Sequence, residues 1–416
     1  MKKTLRAIVS LAIVGTLVLN PYQSGQRVKA ESQIPEPEYR TMLSPKNKIS
    51  IVRRPGPSDF SFIHPGKLTE LPKYDKNSDQ MWQVDIRSSD LTLVDLTDRL
   101  EDLLVSSFDS KTKWPDKLPK DFDPTKIMDI CKNPGLSISE LHKKGVTGKG
   151  IGVAIIDQTL LVDHKEYKNR IKMYEEIHNI GDTSEMHGPA VASIAVGKSV
   201  GVAPEADLYY IAETHGEFSA GEFKWDLTWL AKSIDRIVEV NKTLPKSKKI
   251  RVISISLGIG SSMNGYEKAF ESIEKAKKEG IYTVYVGSDP FLGLGRNPLK
   301  SADDINSYTL GLFLQKRPGY DNSQVLIPMD SRCTASPTGV NDYVFYREGG
   351  MSWAVPYVAG LYALACQMNP DITPETFWKE AINTSSVNKD KLGKIINPVK
   401  LIDSISKTEK KVKKNK

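Results

Sequence analysis

The sequence predicts an α/β protein, doubly wound around a mostly parallel central sheet. Three observations predict it. From about residue 150 onward, short apolar runs alternate with helical stretches, the order that builds strand–helix–strand units. Several of those runs are continuously apolar rather than alternating, as strands covered on both faces are. The stretch 352–368 is apolar almost throughout over a length that only a buried helix fits.

Taken in order, Lys2, Lys3 and Arg6 precede an apolar run at 7–19, and Val28-Lys29-Ala30 suits cleavage before Glu31. Residues 1–30 therefore read as an export signal. The run falls short of the roughly 20 residues a membrane span needs, so a secreted protein with no span in its mature form is expected. An uncleaved signal anchor is the other reading. Residues 31–118 form an N-terminal extension punctuated by Pro35, Pro37, Pro45, Pro55, Pro57, Pro65 and Pro72, read as a leader or linker. Within it, 82–86 alternates like a strand. The segment 95–105 carries leucines at helical spacing, with Asp95 as N-cap. No internal repeat is read anywhere in the chain. The α/β body occupies 119–406, with strands expected at 151–156, 208–212, 252–257, 281–286 and 325–327. Helices are expected at 190–196, 226–240, 266–278 and 352–368. Residues 407–416 hold six lysines and one glutamate and read as a disordered tail.

The net charge of +7 sits at the two ends. Residues 1–30 carry five basic side chains and no acid, and the tail contributes a net +5, which leaves 31–406 at −3. No basic run interleaved with aromatics occurs in the body, so a nucleic-acid partner is not expected. Three cysteines, Cys131, Cys333 and Cys366, are too few and odd in number for a disulfide framework. A Cys131–Cys333 bridge stays open, and Cys366 reads as a small buried hydrophobe. His164, His178 and His215 lack ligand partners at metal-site spacing, so no metal site is expected from them.

Three residues carry candidate chemistry. Asp157 ends an apolar strand, and ligands of open α/β sheets bind beyond the carboxyl ends of strands. A solvated turn is the plainer reading of that residue alone. His187 opens a stretch whose Gly188 and Pro189 suit a helix start, and a base must be held in one orientation. Ser352 follows Gly349 and Gly350 at the head of the apolar helix, where free N–H groups favour an oxyanion. An ordinary N-cap serine would look the same locally.

Together these segments resemble the subtilisin family, in its order Asp, His, Ser. Gly350-Met-Ser-Trp-Ala-Val-Pro-Tyr-Val-Ala-Gly360 is similar to the family's Gly-Thr-Ser-Met-Ala-x-Pro-His-Val-Ala-Gly. His187-Gly-Pro-Ala-Val-Ala-Ser193 resembles His-Gly-Thr-x-Val-Ala-Gly and is followed by Gly201-Val-Ala-Pro. Val153-Ala-Ile-Ile-Asp157 resembles the family's aspartate strand. The likeness runs over roughly 123–385. It implies a three-layer subtilisin-like fold and a secreted serine endopeptidase acting on polypeptide substrates through Asp157, His187 and Ser352. Substrate would pair with Ser256, Leu257 and Gly258. No cofactor is implied for catalysis; structural calcium is common in the family, but no site maps onto this chain. The extension at 31–118 occupies the place of a propeptide. The sequence departs from the family at Gln158-Thr159, Pro189, Trp353 and Tyr357. It departs most at Ser288, which stands where the family has its oxyanion asparagine. Losing one such donor costs about 2.7–4 kcal/mol, a figure measured in a subtilisin itself. A subtilisin-like pseudoenzyme that binds peptides without cleaving them is the alternative.

Overall fold

The computed structural model describes residues 37–45, 48–60, 66–219, 222–315 and 323–414; the export signal expected at 1–30 lies outside them. The described chain begins with strand β1 (Arg40–Met42), then helix α1 (Leu100–Leu104) and strand β2 (Phe108–Asp109). Helices α2 (Pro124–Lys132) and α3 (Ile138–Lys143) lead into β3 (Gly152–Asp157), β4 (Ile171–Asn179), α4 (His187–Val196) and β5 (Asp207–Ala212). The hairpin β6 (Gly216–Ser219) and β7 (Glu222–Trp225) precedes α5 (Leu227–Thr243), β8 (Ile250–Gly258), α6 (Tyr266–Lys278) and β9 (Tyr282–Val286). Next come β10 (Phe291–Arg296), β11 (Tyr308–Leu310), α7 (Leu312–Gln315), β12 (Val325–Pro328), β13 (Arg332–Ala335) and β14 (Tyr343–Tyr346). The chain closes with α8 (Met351–Met368), α9 (Pro374–Thr384), β15 (Lys394–Ile395) and α10 (Pro398–Lys414).

The apolar runs build a six-stranded sheet ordered β1-β4-β5-β3-β8-β9. All neighbours are parallel except β1, which lies antiparallel on β4. Every residue of β3 and β5 is buried, because helices cover both faces. Side-chain alternation divides the core. Val153 and Ile155 face α4 and α8, while Ala154 and Ile156 face α5 and α6. Parallel strands place all their carboxyl ends together, so Asp157, Ser256 and the turn after β9 come to one edge of the molecule.

The N-terminal extension is built into this fold. Its strand β1 and the bridge Ile51–Tyr174 close the outer edge of β4. Arg40 and Arg53 bind the buried Glu176 at 2.7 and 2.6 Å and fix that strap. Residues 66–118 coil as a short solenoid. Lys67, Asp90 and Lys113 bridge in parallel, each 23 residues from the next, and Asp85 bridges Ser107. The rungs are joined by Leu68 N to Asp90 O, Leu91 N to Lys113 O and Ile86 N to Ser107 O, each 2.9 Å. Leu71, Leu91, Val94, Ile86 and Phe108 fill its interior. The last rung, β2, pairs antiparallel with β14, so solenoid and body share one apolar cluster with Phe345 and Cys333.

Four expectations need correction. An internal repeat is present after all; its rungs share only a few apolar positions, such as Leu68, Leu91 and Trp114, amid dissimilar turns. Asp95 does not cap a helix: its carboxylate accepts from Thr97 N at 3.2 Å as a turn, and α1 begins only at Leu100. The expected tail continues a helix to Lys414, because Leu401, Ile402 and Ile405 are buried and anchor α10. All three cysteines are free and buried, so Cys131 and Cys333 form no bridge.

Candidate active site

Asp157 ends β3 with 2% exposure. Its Oδ1 binds Nδ1 of His187 at 2.7 Å, and Gln158 N donates to the same oxygen at 2.8 Å. His187 is the first residue of α4, a helix with no cap from its own sequence. Gln158 supplies one: its Oε1 accepts His187 N at 3.2 Å. Gly188 is required next to the histidine, since a Cβ there would lie 2.5 Å from both Gln158 O and Tyr210 Oη. Behind this pair, Glu185 Oε2 accepts Thr159 N at 3.0 Å. Burial pushes the Glu185 carboxyl up, against the pull of its Thr159 hydrogen bonds. Gln158 and Thr159, read from sequence only as departures, therefore have defined jobs. Neither could be found from local pattern, since their partners lie 29 and 26 residues on.

Ser352 is the second residue of α8, after Gly350 with φ of +66°. Pro356 lacks an N–H, so the Ser352 carbonyl has no partner in the following turn. Ser256 fills the gap: its Oγ donates to Ser352 O at 2.9 Å, and Ser352 Oγ donates to Ser256 O at 3.2 Å. Among the described residues no hydrogen bond joins Ser352 to His187. The two meet through Trp353, whose ring centroid lies 5.1 Å from that of His187. The catalytic candidates are thus at one edge, with the Asp157–His187 bond formed and the serine hydroxyl turned toward β8. Leu257 and Gly258 complete that strand end, where the ladder to β9 skips between Ile255 and Gly258.

Ser288 lies in the turn after β9, where Gly287 has φ of +90°. Its hydroxyl accepts Tyr285 N at 3.1 Å and donates to Asp289 Oδ2. Asp289 Oδ2 also accepts Tyr282 Oη at 2.6 Å, and Tyr282 Oη in turn accepts Trp378 Nε1 at 3.0 Å. In this conformation the Ser288 proton closes the turn instead of facing an oxyanion. The donor left at the serine is therefore the backbone N–H at the head of α8.

The loop before α8 is fastened at Asp330. Its Oδ1 accepts Gly349 N at 2.9 Å and its Oδ2 accepts Leu312 N at 2.8 Å. Burial pushes this carboxyl up to about 6, with Arg347 and the two N–H donors pulling the other way. His164, His178 and His215 are held by structural contacts. His164 Nε2 lies 2.9 Å from Asp342 O, and His178 is stacked at 3.8 Å between Tyr39 and Trp229. His215 pairs with Glu213, which raises it against the effect of burial. Among the described residues no group of three or more His, Cys, Asp or Glu could hold a metal ion.

Comparison with known proteins places this geometry in context. Residues 148–288 match the model of the Subtilase family, Peptidase_S8. That span holds Asp157, His187, Ser256 and Ser288 and ends before Ser352. Subtilisin-like protease 2 of Arthroderma benhamiae is 28% identical over 248 residues, 58% of this chain and 56% of that protein. The major intracellular serine protease of Bacillus subtilis is 27% identical over 174 residues, 38% of this chain and 50% of the relative. The chain spans about half the length of these relatives. A solved structure, the prenylagaramide maturation protease PagA, aligns at TM-score 0.45 and 16% identity over 65% of this chain and 98% of that one.

Proposed function

We propose that this chain, whose residues 148–288 match the Subtilase family model, is a serine endopeptidase that cleaves polypeptides through an acyl-enzyme on Ser352. The observation that carries this reading is the 2.7 Å bond from Asp157 to His187, made at the edge where α8 presents its serine. Asp157 holds the imidazole in the tautomer that leaves Nε2 free as a base. Ser352 rotates away from Ser256 O, gives its proton to Nε2 and attacks the scissile carbonyl. His187 then returns the proton to the leaving amine, and water completes the second half by the same route. The backbone N–H of Ser352 steadies the oxyanion at the positive end of α8. An extended substrate lies along Ser256, Leu257 and Gly258 as an added strand. The chemistry calls for no cofactor. Residues 1–30 export the chain, and the secreted form works outside the cell.

One observation favours a second reading. With the hydroxyls of Ser352 and Ser288 both bound elsewhere, a peptide-binding protein without turnover fits this conformation. A fluorophosphonate probe separates the two. The peptidase labels covalently at Ser352 and loses label in Ser352→Ala and His187→Ala. Absence of labelling in the folded parent protein overturns the peptidase reading.

A further inference from the structure

The solenoid reaches the catalytic histidine through three side chains. Arg87, on the middle rung, is locked by Asp85: Nε to Oδ1 is 2.8 Å and Nη2 to Oδ2 is 2.6 Å. This fork-to-fork pairing fixes the plane of the guanidinium. Its Cζ lies 4.8 Å from the Phe60 ring centroid and 5.4 Å from that of Tyr346, and its Nη1 donates to Tyr346 Oη at 3.2 Å. Tyr346, the last residue of β14, meets Trp353 edge-on at 5.2 Å and 84°. Trp353 in turn meets His187 at 5.1 Å. Tyr346 and Trp353 are each 3% exposed, so neither ring has room to find another position.

A second contact grips the serine side. Trp82, at the start of the same rung, donates its backbone N–H to Glu348 Oε2 at 2.6 Å and its indole N–H to Glu348 O at 3.0 Å. Glu348 directly precedes the glycine turn that leads to Ser352. The rung therefore holds both flanks of the site: the wall behind His187 and the turn before the serine.

We propose that Arg87 is a positioning residue of the active site, acting on His187 through Tyr346 and Trp353, and that the solenoid is a permanent part of the working enzyme. This rests on the peptidase reading above and gives the N-terminal extension a role opposite to that of a removable propeptide. A tryptophan next to the nucleophile is large enough to touch the base, but a large ring orients its neighbour only if it is itself immobilised. Arg87 immobilises it by way of Tyr346, whose ring stands edge-on to the indole.

The test uses the full-length protein, Arg87→Ala, and Tyr346→Phe as a milder variant that keeps the ring but removes the acceptor for Nη1. Steady-state kinetics on an unfolded polypeptide should show kcat lowered about tenfold or more in Arg87→Ala and severalfold in Tyr346→Phe, with KM within twofold. The profile of kcat/KM against pH should change, because the ring packed on His187 is no longer held while Asp157 and Glu185 beside it are unchanged. The hydrogen-bonded Nδ1 proton of His187, read by proton NMR in folded protein, should broaden by solvent exchange in both variants. Parent-like kcat, pH profile and Nδ1 signal in a folded Tyr346→Phe overturn the proposal even if Arg87→Ala fails to fold. A parent protein that neither labels with fluorophosphonate nor cleaves overturns the peptidase reading instead. The NMR comparison then judges the positioning role alone, an unchanged signal overturning it. Finding active secreted protein whose N-terminus lies beyond residue 118 refutes the solenoid's permanence.

Discussion

At the scale of single residues, hydrogen-bond direction decides what a side chain does. Ser288 stands where an oxyanion donor is expected, yet its proton goes to Asp289 and its lone pair to Tyr285 N. Ser288→Ala is expected to lower stability by about 1 kcal/mol, the net worth of an ordinary hydrogen bond, with kcat unchanged. Chemical denaturation and kinetics together check this; a hundredfold loss of kcat would show that the hydroxyl swings to the oxyanion during turnover. Asp330 offers a pH signature. Its folded-state pKa of about 6 lies above the roughly 3.9 of an unfolded aspartate. The folded protein therefore holds a proton that the unfolded chain has lost between about pH 4 and 6. Its contribution is present in full below the lower value and is lost as pH rises through the upper one, on the order of 2–3 kcal/mol. The fall should be missing from Asp330→Asn, which denaturation of both proteins from pH 4 to 7 measures. Little of this was legible in the sequence: Asp289 adjoins Ser288, but Tyr282 and Trp378, which extend the chain of bonds, come from β9 and α9, and Asp330 meets Gly349 and Leu312 only in the fold.

At the scale of elements, the close contact of α4 with α8 sets where the base meets the nucleophile. A Cβ on Gly360 would lie 2.7 Å from Val202 Cβ and 3.0 Å from Ala195 O, so α8 sits as near to α4 and its following turn as backbones allow. Gly360→Val should force the helices apart at a cost of about 1–3 kcal/mol and should lower kcat by displacing Ser352 relative to His187. A thermal melt and a labelling rate read both effects, and a fully active variant would show that the spacing is not critical. These elements were the most legible part of the chain. The helix expected at 266–278 lies at Tyr266–Lys278, and the strands at 252–257 and 281–286 match β8 and β9 within two residues. Their apolar runs are long because helices bury both faces, and such runs announce themselves. β4 was missed: Glu175, Glu176 and His178 interrupt its pattern, and their burial depends on Arg236, Arg40 and Tyr39 from elsewhere.

At the scale of the molecule, the shared cluster around Phe108 makes solenoid and body one cooperative unit. Phe108 is wholly buried among Trp114, Phe122 and Phe345, the last of which belongs to β14. Phe108→Ala should cost about 3–5 kcal/mol and lower one single unfolding transition, followed by circular dichroism and by tryptophan fluorescence. Two separate transitions would mean that the solenoid folds alone. The unit was not legible as a unit. Its period of 23 residues is carried by backbone bridges and a few interior side chains, while most rung positions are polar and free to differ.

The pairing of the first third of the chain with its last third also governs timing. Trp82 bonds to Glu348 across 266 residues, Ser107 to Arg347 across 240, and Ser110 to Tyr343 across 233. A chain made from its N-terminus holds these early segments without their partners until nearly all of it exists. Contacts so far apart must close long loops, and they are expected to form after the barrier to folding has been crossed. Weakening them then leaves the rate of folding nearly intact and quickens unfolding. The lifetime of the native protein, more than its ease of assembly, is what the seam between solenoid and β14 controls.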